Sequence, residues 1–460
     1  MKVRSIQLKN FRSFKDLEVS LHPDLTVLIA KNGAGKTTIL DALRIAVWPY
    51  VKGFDLGSQT GKSATIQIDD VHLQIMRDGN MEAQLPSVVK ATGIWHTNNE
   101  EEYDWEQWRE SIKKATNTKS DPGAVKYLYK RAKKLQDKVR SDESVDLPII
   151  CYLGTGRLWY EGRHTSQATD VMLDQNEYSR LSGYLNCITQ SSGFKQFKDW
   201  YSWISRSYFE EQILALQRNQ PFDFQNSRFA IVVHVVQNSI NALITEQTGW
   251  RDISYSAKYN QQLVLTHPVH GTLPLEFLSD GLRNMVAMVA DIAYRCIKLN
   301  PHFGKDAARE TTGIVMIDEV DMFLHPEWQQ TVLSSLRGAF PKIQFIVTTH
   351  SPQVLSSVPK ECIRIITKNI HERDIAAEPL AYSYGEPSND ILQAIMHVDP
   401  QPPIPEKSDL TRLISLVEQG DYDSSEVAEL LRNLIETLNP DHPQIQKIMR
   451  SIRRQRALRG

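Results

Sequence analysis

Residues Ala30–Thr37 read AKNGAGKT, and they stand between an apolar run, Leu25–Ala30, and a stretch with helical spacing, Thr37–Trp48. The octapeptide fits the phosphate-binding loop pattern G-x-x-x-x-G-K-[ST], with Ala30 in place of the first glycine. In such a loop the backbone amides point at phosphate oxygens, and the start of the following helix adds a favourable dipole. The order of strand, loop and helix therefore predicts a nucleoside-phosphate site.

Residues of this loop can be given individual roles. Lys36 is expected to reach the β- and γ-phosphates, and the Thr37 hydroxyl is expected to ligate Mg²⁺. Ala30 is strained only if its position requires a positive φ. The residues of the loop that we expect to contact ATP are Ala30, Lys31, Asn32, Gly33, Ala34, Gly35, Lys36, Thr37 and Thr38.

A second apolar run ends in two carboxylates, because Ile314–Glu319 reads IVMIDE. A buried strand that presents acids at its end suits metal-assisted phosphoryl transfer. Asp318 is expected to hold Mg²⁺, and Glu319 is expected to polarise the attacking water as general base. The alternative is a strand that ends in a solvated acidic turn, and the phosphate-binding loop earlier in the chain disfavours it.

Two further segments suit phosphate contact. LSDG at Leu278–Gly281 precedes a long apolar helical stretch, so Ser279 and Gly281 stand at a helix start that can bind phosphate. A serine that only caps a helix gives the same pattern. His350 follows an apolar run within the segment VTTHSP, and its imidazole can hydrogen-bond a γ-phosphate. The catalytic residues predicted from these motifs are Lys36, Glu319 and His350.

The order of these motifs resembles that of the ABC-type ATPase heads of the SMC, RecF and overcoming-lysogenization (OLD) proteins. The resemblance covers residues 1–50 and 270–370, and it includes the opening segment Ile6–Phe14, IQLKNFRSF. It implies a head-to-head dimer that encloses ATP, in which the LSDG segment of one copy faces the phosphate loop of the other. The residues that the resemblance adds to the nucleotide site are Ser279, Gly281, Asp321 in the D-loop, and Arg12.

Less common segments resemble the PtuA subunits of Septu anti-phage systems and the similar subunits that accompany some retrons. These segments are Leu147–Trp159 (LPIICYLGTGRLW), Ser182–Ile188 (SGYLNCI), Tyr384–Asn389 and Ile391–Val398. The resemblance implies an ATPase subunit that has no nuclease site of its own and that works with a separate HNH nuclease. The C-terminal tail, in which an acidic stretch is followed by a basic helix, has opposed charges that suit docking of such a partner.

Short apolar strands that alternate with helical stretches predict an α/β protein. We expect an ABC-type P-loop ATPase core that is split by a mostly helical insertion, plus a small C-terminal helical region. The first half of the core is expected over residues 1–95, and the insertion over 96–270, with a core strand returning near 147–153. The second half of the core is expected over 271–398, and a Pro-rich linker with a helical docking region over 399–460.

The composition narrows the functional classes. The 460 residues are 41% hydrophobic and carry a formal net charge of −2, so any nucleic-acid contact requires a local basic patch. The four cysteines are far apart with no C-x-x-C pair, which favours buried thiols over a zinc site or disulfides. The N-terminus has no apolar signal region, and no apolar run reaches about 18 residues. We therefore expect a cytoplasmic protein that does not span a membrane.

Two basic helical stretches, residues 126–138 and 447–459, are candidates for DNA contact. In the first, a lysine recurs every four residues, although a solvated face gives the same pattern. These stretches keep open an alternative function, a RecF- or SMC-like DNA-binding ATPase in recombination or repair. A transporter subunit is disfavoured by the LSDG sequence and the long insertion. Scattered histidines and a helical C-terminal region disfavour an HNH or Toprim nuclease site in this chain.

Overall fold

The apolar runs of the sequence become strands of a six-stranded sheet. The computed structural model describes residues 1–59, 64–95, 101–114, 118–157, 179–189, 194–224 and 227–459, so the last two residues of LPIICYLGTGRLW lie outside the described residues. The strands are β1 (Lys2–Phe11), β2 (Phe14–Ser20), β3 (Leu25–Ile29), β4 (Leu73–Ile75), β5 (Met81–Ala83), β6 (Ser87–Ile94), β7 (Glu102–Arg109), β8 (Lys119–Ser120), β9 (Ile149–Leu153), β10 (Arg251–Ser256), β11 (Gln262–His267), β12 (Gly271–Pro274), β13 (Gly313–Ile317), β14 (Ile343–Thr348), β15 (Ile363–Lys368) and β16 (Asp374–Ala377).

The helices alternate with these strands through most of the chain. They are α1 (Lys36–Val51), α2 (Ala124–Val139), α3 (Phe194–Gln217), α4 (Arg228–Thr248), α5 (Asp280–Leu299), α6 (Ala307–Glu310), α7 (Pro326–Ala339), α8 (Pro352–Ser356), α9 (Ser388–Ala394), α10 (Lys407–Glu418), α11 (Ser425–Leu438) and α12 (Pro443–Arg459).

The six-stranded sheet has the order β16-β15-β3-β14-β13-β9. All its pairs are parallel except that of β15 with the edge strand β16. Ile317 at the end of β13 pairs with Val347 of β14, and Val347 pairs with Val27 of β3. Because these strands end at one edge of the sheet, the three loops that follow them meet there. This parallel sheet with its P-loop strand confirms the predicted α/β ABC-type ATPase core.

A second, antiparallel sheet has the order β2-β1-β6-β7-β8. Helix α1 contacts β1, β6 and β7 of this sheet and also β14 of the parallel sheet, so it joins the two. The predicted boundary at residue 95 cuts through this sheet, because β7 pairs with β6 along its whole length. The sequence becomes acidic after residue 95, but the antiparallel sheet continues through β7. The acidic side chains of β7 lie on its exposed side, and its other side is buried.

The region predicted as the insertion combines helices with strands. Helices α3 and α4 pack on α5, and β10 and β11 form a three-stranded sheet with β12. The expected returning strand is β9, which is fully buried beside β13. By length and composition α4 is apolar enough to cross a membrane. Its buried residues, which include Val236, Ile240 and Ile244, belong to the protein core.

The described chain divides into two compact units, Met1–Met396 and His397–Gly460, and the second begins close to the predicted boundary at 399. The C-terminal unit has its own apolar core, which includes Leu413, Leu434 and Ile445. The four cysteines, Cys151, Cys187, Cys296 and Cys362, are all buried and unpaired, as the sequence predicted.

Candidate functional site

The phosphate-binding loop leaves β3 and enters α1 through two glycines in the left-handed region. Gly33 has φ 77° and Gly35, the N-cap of α1, has φ 95°. A Cβ on Gly35 would lie 2.4 Å from Cζ of Phe14, whereas the space around Gly33 is open. Ala30 does not have a positive φ, so the absent first glycine causes no backbone strain. The sequence departs from the motif at a position where glycine is not required.

The loop presents one open side and one anchored side. Lys31, Asn32 and Gly33 are exposed, while the Lys36 side chain is buried. Nζ of Lys36 lies 3.3 Å from the carbonyl oxygen of Ala30 and 2.6 Å from Nε2 of His350. Burial lowers the pKa of Lys36, and the carboxylates after β13 oppose that change. The structure thus brings together Lys36 and His350, which are more than 300 residues apart in sequence.

The Thr37 hydroxyl meets the carboxylate at the end of β13. Oγ1 of Thr37 donates to Oδ2 of Asp318 over 2.9 Å, and Oγ1 of Thr348 donates to Oδ1 of Asp318 over 2.6 Å. Asp318 is buried, while Thr37 is exposed beside it. A hydroxyl and a carboxylate at this spacing are hard oxygen donors of the kind that Mg²⁺ prefers. The pair therefore fits a magnesium ion that keeps several water ligands.

Glu319 stands in a backbone conformation that is rare for its residue type. Its φ is 47°, and its N–H donates to Oγ1 of Thr348 over 2.7 Å. Among the described residues its carboxylate has no hydrogen bond or ion pair, and the residue is only half buried. A carboxylate with this freedom can accept a proton from a bound water. Asp321, two residues on, accepts a hydrogen bond of 2.5 Å from Thr349.

The LSDG segment lies beside the loop that follows β13. Ser279 is exposed and caps α5 by accepting from the N–H of Leu282. Gly281 packs so closely on this loop that a Cβ would lie 2.4 Å from the carbonyl oxygen of Phe323. Among the described residues no hydrogen bond joins Ser279 or Gly281 to the phosphate loop of the same chain.

Arg12 is held by carboxylates at the side of α1. Its Nη1 lies 2.7 Å from Asp41 of α1, and its Nε lies 2.8 Å from Asp70. Burial lowers its pKa, but the charge of Asp41 and the hydrogen bonds to both acids raise it, and the net change is upward. Arg12 thus ties the turn between β1 and β2 to the helix that carries the phosphate loop.

Sequence reasoning missed two side chains of the site, Thr348 and Arg157. Thr348 bonds both Asp318 and Glu319, and a threonine at the end of a mostly apolar strand was the available signal. Arg157 is 3% exposed and donates to the carbonyl oxygens of Asp318 and Glu319. Its signal was an arginine shortly after the buried strand β9, within the GTGR sequence.

Comparisons with known proteins agree with this geometry. A family model described as "AAA domain" matches residues 5–225, and one described as "AAA domain, putative AbiEii toxin, Type IV TA system" matches residues 168–356. The chain is 25% identical to "Retron Vc95 probable ATPase" of Vibrio cholerae serotype O1 biovar El Tor, an alignment that covers 94% of this chain and 86% of the relative.

Similarity to two other proteins is more limited. "Septu protein PtuA" of Bacillus thuringiensis is 30% identical over 30% of this chain and 38% of its own length. The structure of an SMC head bound to the C-terminal winged-helix domain of ScpA is 11% identical, with a TM-score of 0.48 over 82% of this chain and 98% of the SMC chain.

Proposed function

From the premise that the chain is an ABC-type P-loop ATPase related to retron ATPases and to Septu PtuA, we propose that it is the nucleotide-binding subunit of an anti-phage defence complex. In this complex it scaffolds a separate HNH nuclease and controls it through ATP. The observation that carries the ATP-dependent part is the meeting of Lys36, Asp318 and His350 at one sheet edge, next to Glu319, whose carboxylate has no hydrogen bond or ion pair in the part of the chain that the structure describes.

Each residue of the site has a different role in ATP hydrolysis. Lys36 neutralises charge on the β- and γ-phosphates, and His350, now bonded to Lys36, turns to the γ-phosphate when ATP enters between them. Glu319 takes the proton of the attacking water. Thr37 and Asp318 hold Mg²⁺, which supplies charge neutralisation at the phosphates when bound. Thr348 bonds the carboxylate of Asp318 and the backbone N–H of Glu319, so it holds the metal-binding residue and the backbone of the base next to each other.

A second copy of the chain completes the site. Ser279 is exposed at the start of α5, and two large apolar residues near this start are also exposed: Phe277, two residues earlier, and Phe323, whose carbonyl oxygen lies against Gly281. Apolar side chains around an exposed helix start favour contact with another protein surface. We infer that ATP closes a head-to-head dimer in which Ser279 and Gly281 of one copy bind the γ-phosphate held by the other. Hydrolysis is then slow, because each turnover requires the dimer to open.

The test of the whole proposal is purification of the chain with the products of its neighbouring genes, followed by native mass spectrometry. We expect an assembly with more than one copy of this chain and a small HNH nuclease, and loss of phage restriction in the variant Lys36→Ala. Recovery of a lone dimer together with repair factors, or unchanged restriction in Lys36→Ala, would contradict it.

A DNA-binding ATPase of RecF type is the second candidate, and one observation favours it. Lys126, Lys130, Lys134 and Lys138 are all exposed on α2, and none of them has an ion pair among the described residues. By contrast Lys133 of the same helix pairs with Asp55 at 2.9 Å. A row of unpaired lysines can follow a phosphate backbone, and binding of that kind weakens steeply with salt.

A further inference from the structure

A buried arginine connects three parts of the nucleotide site. Arg157 follows β9, and its guanidinium donates to four acceptors: Oδ1 of Asn284 over 2.6 Å, and the carbonyl oxygens of Gly154 over 3.1 Å, Asp318 over 2.7 Å and Glu319 over 2.8 Å. Among the described residues no carboxylate lies within ion-pair distance of it. Such a charge is costly to bury unless its hydrogen bonds are satisfied, and here neutral acceptors satisfy them. Burial lowers the pKa of Arg157 to about 10, which leaves it charged at neutral pH.

The contacts of Arg157 fix the backbone that carries the general base. Glu319 has a positive φ, a conformation that costs a non-glycine residue free energy and persists only where surrounding contacts impose it. Its N–H is held by Thr348 and its carbonyl oxygen by Arg157. The peptide groups on both sides of the Glu319 side chain are therefore bonded, so the carboxylate leaves the backbone in one direction.

The same arginine reaches the helix that begins with the LSDG segment. Asn284, one turn into α5 and fully buried, accepts from Nε of Arg157 and donates through Nδ2 to the carbonyl oxygen of Met322 over 2.9 Å. Gly281 of that helix packs against the carbonyl oxygen of Phe323. A shift of α5 therefore changes the contacts of Arg157 and of the loop after β13 together.

We propose that Arg157 is a positioning residue that orients the carboxylate of Glu319 towards the attacking water. It also couples this orientation to the position of α5, the helix that begins at the LSDG segment. This inference rests on the proposed function, since it assumes that Glu319 is the base. When a second copy draws α5 into the closed dimer, Asn284 and Arg157 carry the displacement to the carbonyl oxygen of Glu319. Hydrolysis of ATP is then coupled to closure of the dimer, although Arg157 itself does not contact the nucleotide.

The experiment compares the full-length chain with its variant Arg157→Lys, which keeps the charge but cannot serve the four acceptors in their fixed geometry. We expect kcat for ATP to fall by about 10- to 100-fold, the range typical of a misplaced catalytic group. The Kd for a fluorescent ATP analogue should stay within about threefold, because interactions made only in the transition state do not affect ground-state binding. An unchanged kcat, or an equal loss of affinity and kcat, overturns the proposal.

Arg295 provides the matched control. It is 1% exposed, lies on α5, pairs with Asp291 of the same helix and donates to the carbonyl oxygens of Gly183 and Leu185. Among the described residues no hydrogen bond or ion pair joins it to the loop after β13. Arg295→Lys should lower the thermal midpoint and leave kcat of the folded protein unchanged. A fall in kcat equal to that of Arg157→Lys would show that the effect is only one of packing, and would overturn the proposal.

Two further measurements keep the outcomes distinct. If Arg157→Lys does not fold, Asn284→Ala removes the acceptor of its Nε instead, and kcat should fall by about tenfold; an unchanged kcat rejects the link. Glu319→Gln, assayed beside the wild type, tests the assumption that Glu319 is the general base. If this variant and the wild type hydrolyse ATP at the same rate, Glu319 is not the general base, whatever the result for Arg157.

Discussion

At the scale of single residues, Lys36 is the group on which nucleotide binding depends most. Its ammonium is buried and, among the described residues, is bonded to a carbonyl oxygen and an imidazole, so it can donate to phosphate oxygens without first breaking an ion pair. A charged hydrogen bond is worth about 1.5–3 kcal/mol, so Lys36→Ala should raise the Kd for ATP by about 10- to 100-fold. Titration with a fluorescent ATP analogue measures this. Lys52→Ala, an exposed lysine just past α1, is the control and should bind as the wild type does.

Glu319 is expected to act only after nucleotide has bound. The variant Glu319→Gln keeps the shape and removes the proton acceptor, so phosphate release should fall by about 10²- to 10⁴-fold. Nucleotide affinity should remain, and the ATP-bound dimer should accumulate, which size-exclusion chromatography with light scattering detects. Phosphate release at the wild-type rate would remove Glu319 from the role of base.

Sequence reasoning located the residues of this site that belong to continuous motifs. Lys36, Asp318 and His350 stand next to apolar runs, and parallel strands bring the ends of such runs to one edge. The partners that orient them were not predicted. Arg157 acts on carbonyl oxygens, and which carbonyl oxygens it reaches depends on the pairing of β9 with β13 in space, on which the local sequence gives no information.

At the scale of secondary-structure elements, α1 shows how one proline is accommodated. Pro49 lies inside the helix and has no N–H to donate to the carbonyl oxygen of Ile45. Nε2 of Gln107 on β7 donates to that oxygen over 2.6 Å, and Nε1 of Trp105 donates to the next, that of Ala46, over 2.8 Å. Side chains of the antiparallel sheet therefore replace the hydrogen bond that Pro49 cannot donate. This explains why β7 belongs to the core.

Gln107→Leu should test this hydrogen bond. The substitution leaves the carbonyl oxygen of Ile45 buried and unpaired, which should lower the free energy of unfolding by about 1–3 kcal/mol. Urea unfolding of the nucleotide-free protein measures the change. Glu106→Gln, at the neighbouring and less buried position of the same strand, is the control and should have little effect. Equal stability of Gln107→Leu and the wild type would show that the oxygen finds another donor.

The lysine row of α2 gives a prediction for the DNA-binding alternative. Replacing both Lys130 and Lys134 by Glu should weaken duplex DNA binding, and it should flatten the dependence of log K on log salt by about 0.9 for each phosphate that the protein no longer neutralises. Fluorescence anisotropy at several salt concentrations measures both. Lys133→Ala is the matched control, because its charge is already balanced by Asp55. If the double variant binds as the wild type does, α2 is a solvated face.

At the scale of the whole molecule, the chain consists of an ATPase unit and a C-terminal unit with separate apolar cores. A Pro-rich sequence and a change of charge pattern made this division predictable. The boundary at residue 95 was not predictable in the same way, because the acidic sequence of β7 alternates like a surface strand although β7 pairs with the preceding strand β6 along its whole length.

Separate cores allow the two proposed activities to be separated. A chain that ends at residue 396 retains the complete ATPase core, so its kcat for ATP should stay within about twofold of the full-length value, the scatter expected for independent units. It should no longer recover the HNH nuclease from co-expressing cells. Arg450, Arg453 and Arg454 are exposed on α12, and none has an ion pair among the described residues, so they are the candidate contacts for an acidic partner surface.

Charge reversal distinguishes docking from folding in the C-terminal unit. The double variant Arg450→Glu and Arg454→Glu alters only exposed side chains, so the unit should stay folded while recovery of the nuclease is abolished. Leu413→Ala removes a fully buried side chain and should cost about 2–5 kcal/mol, which unfolds a unit of this size and also abolishes recovery. Circular dichroism separates the two causes. If the double variant still recovers the nuclease, the partner binds elsewhere on the chain, and ATP must control it from the ATPase unit directly.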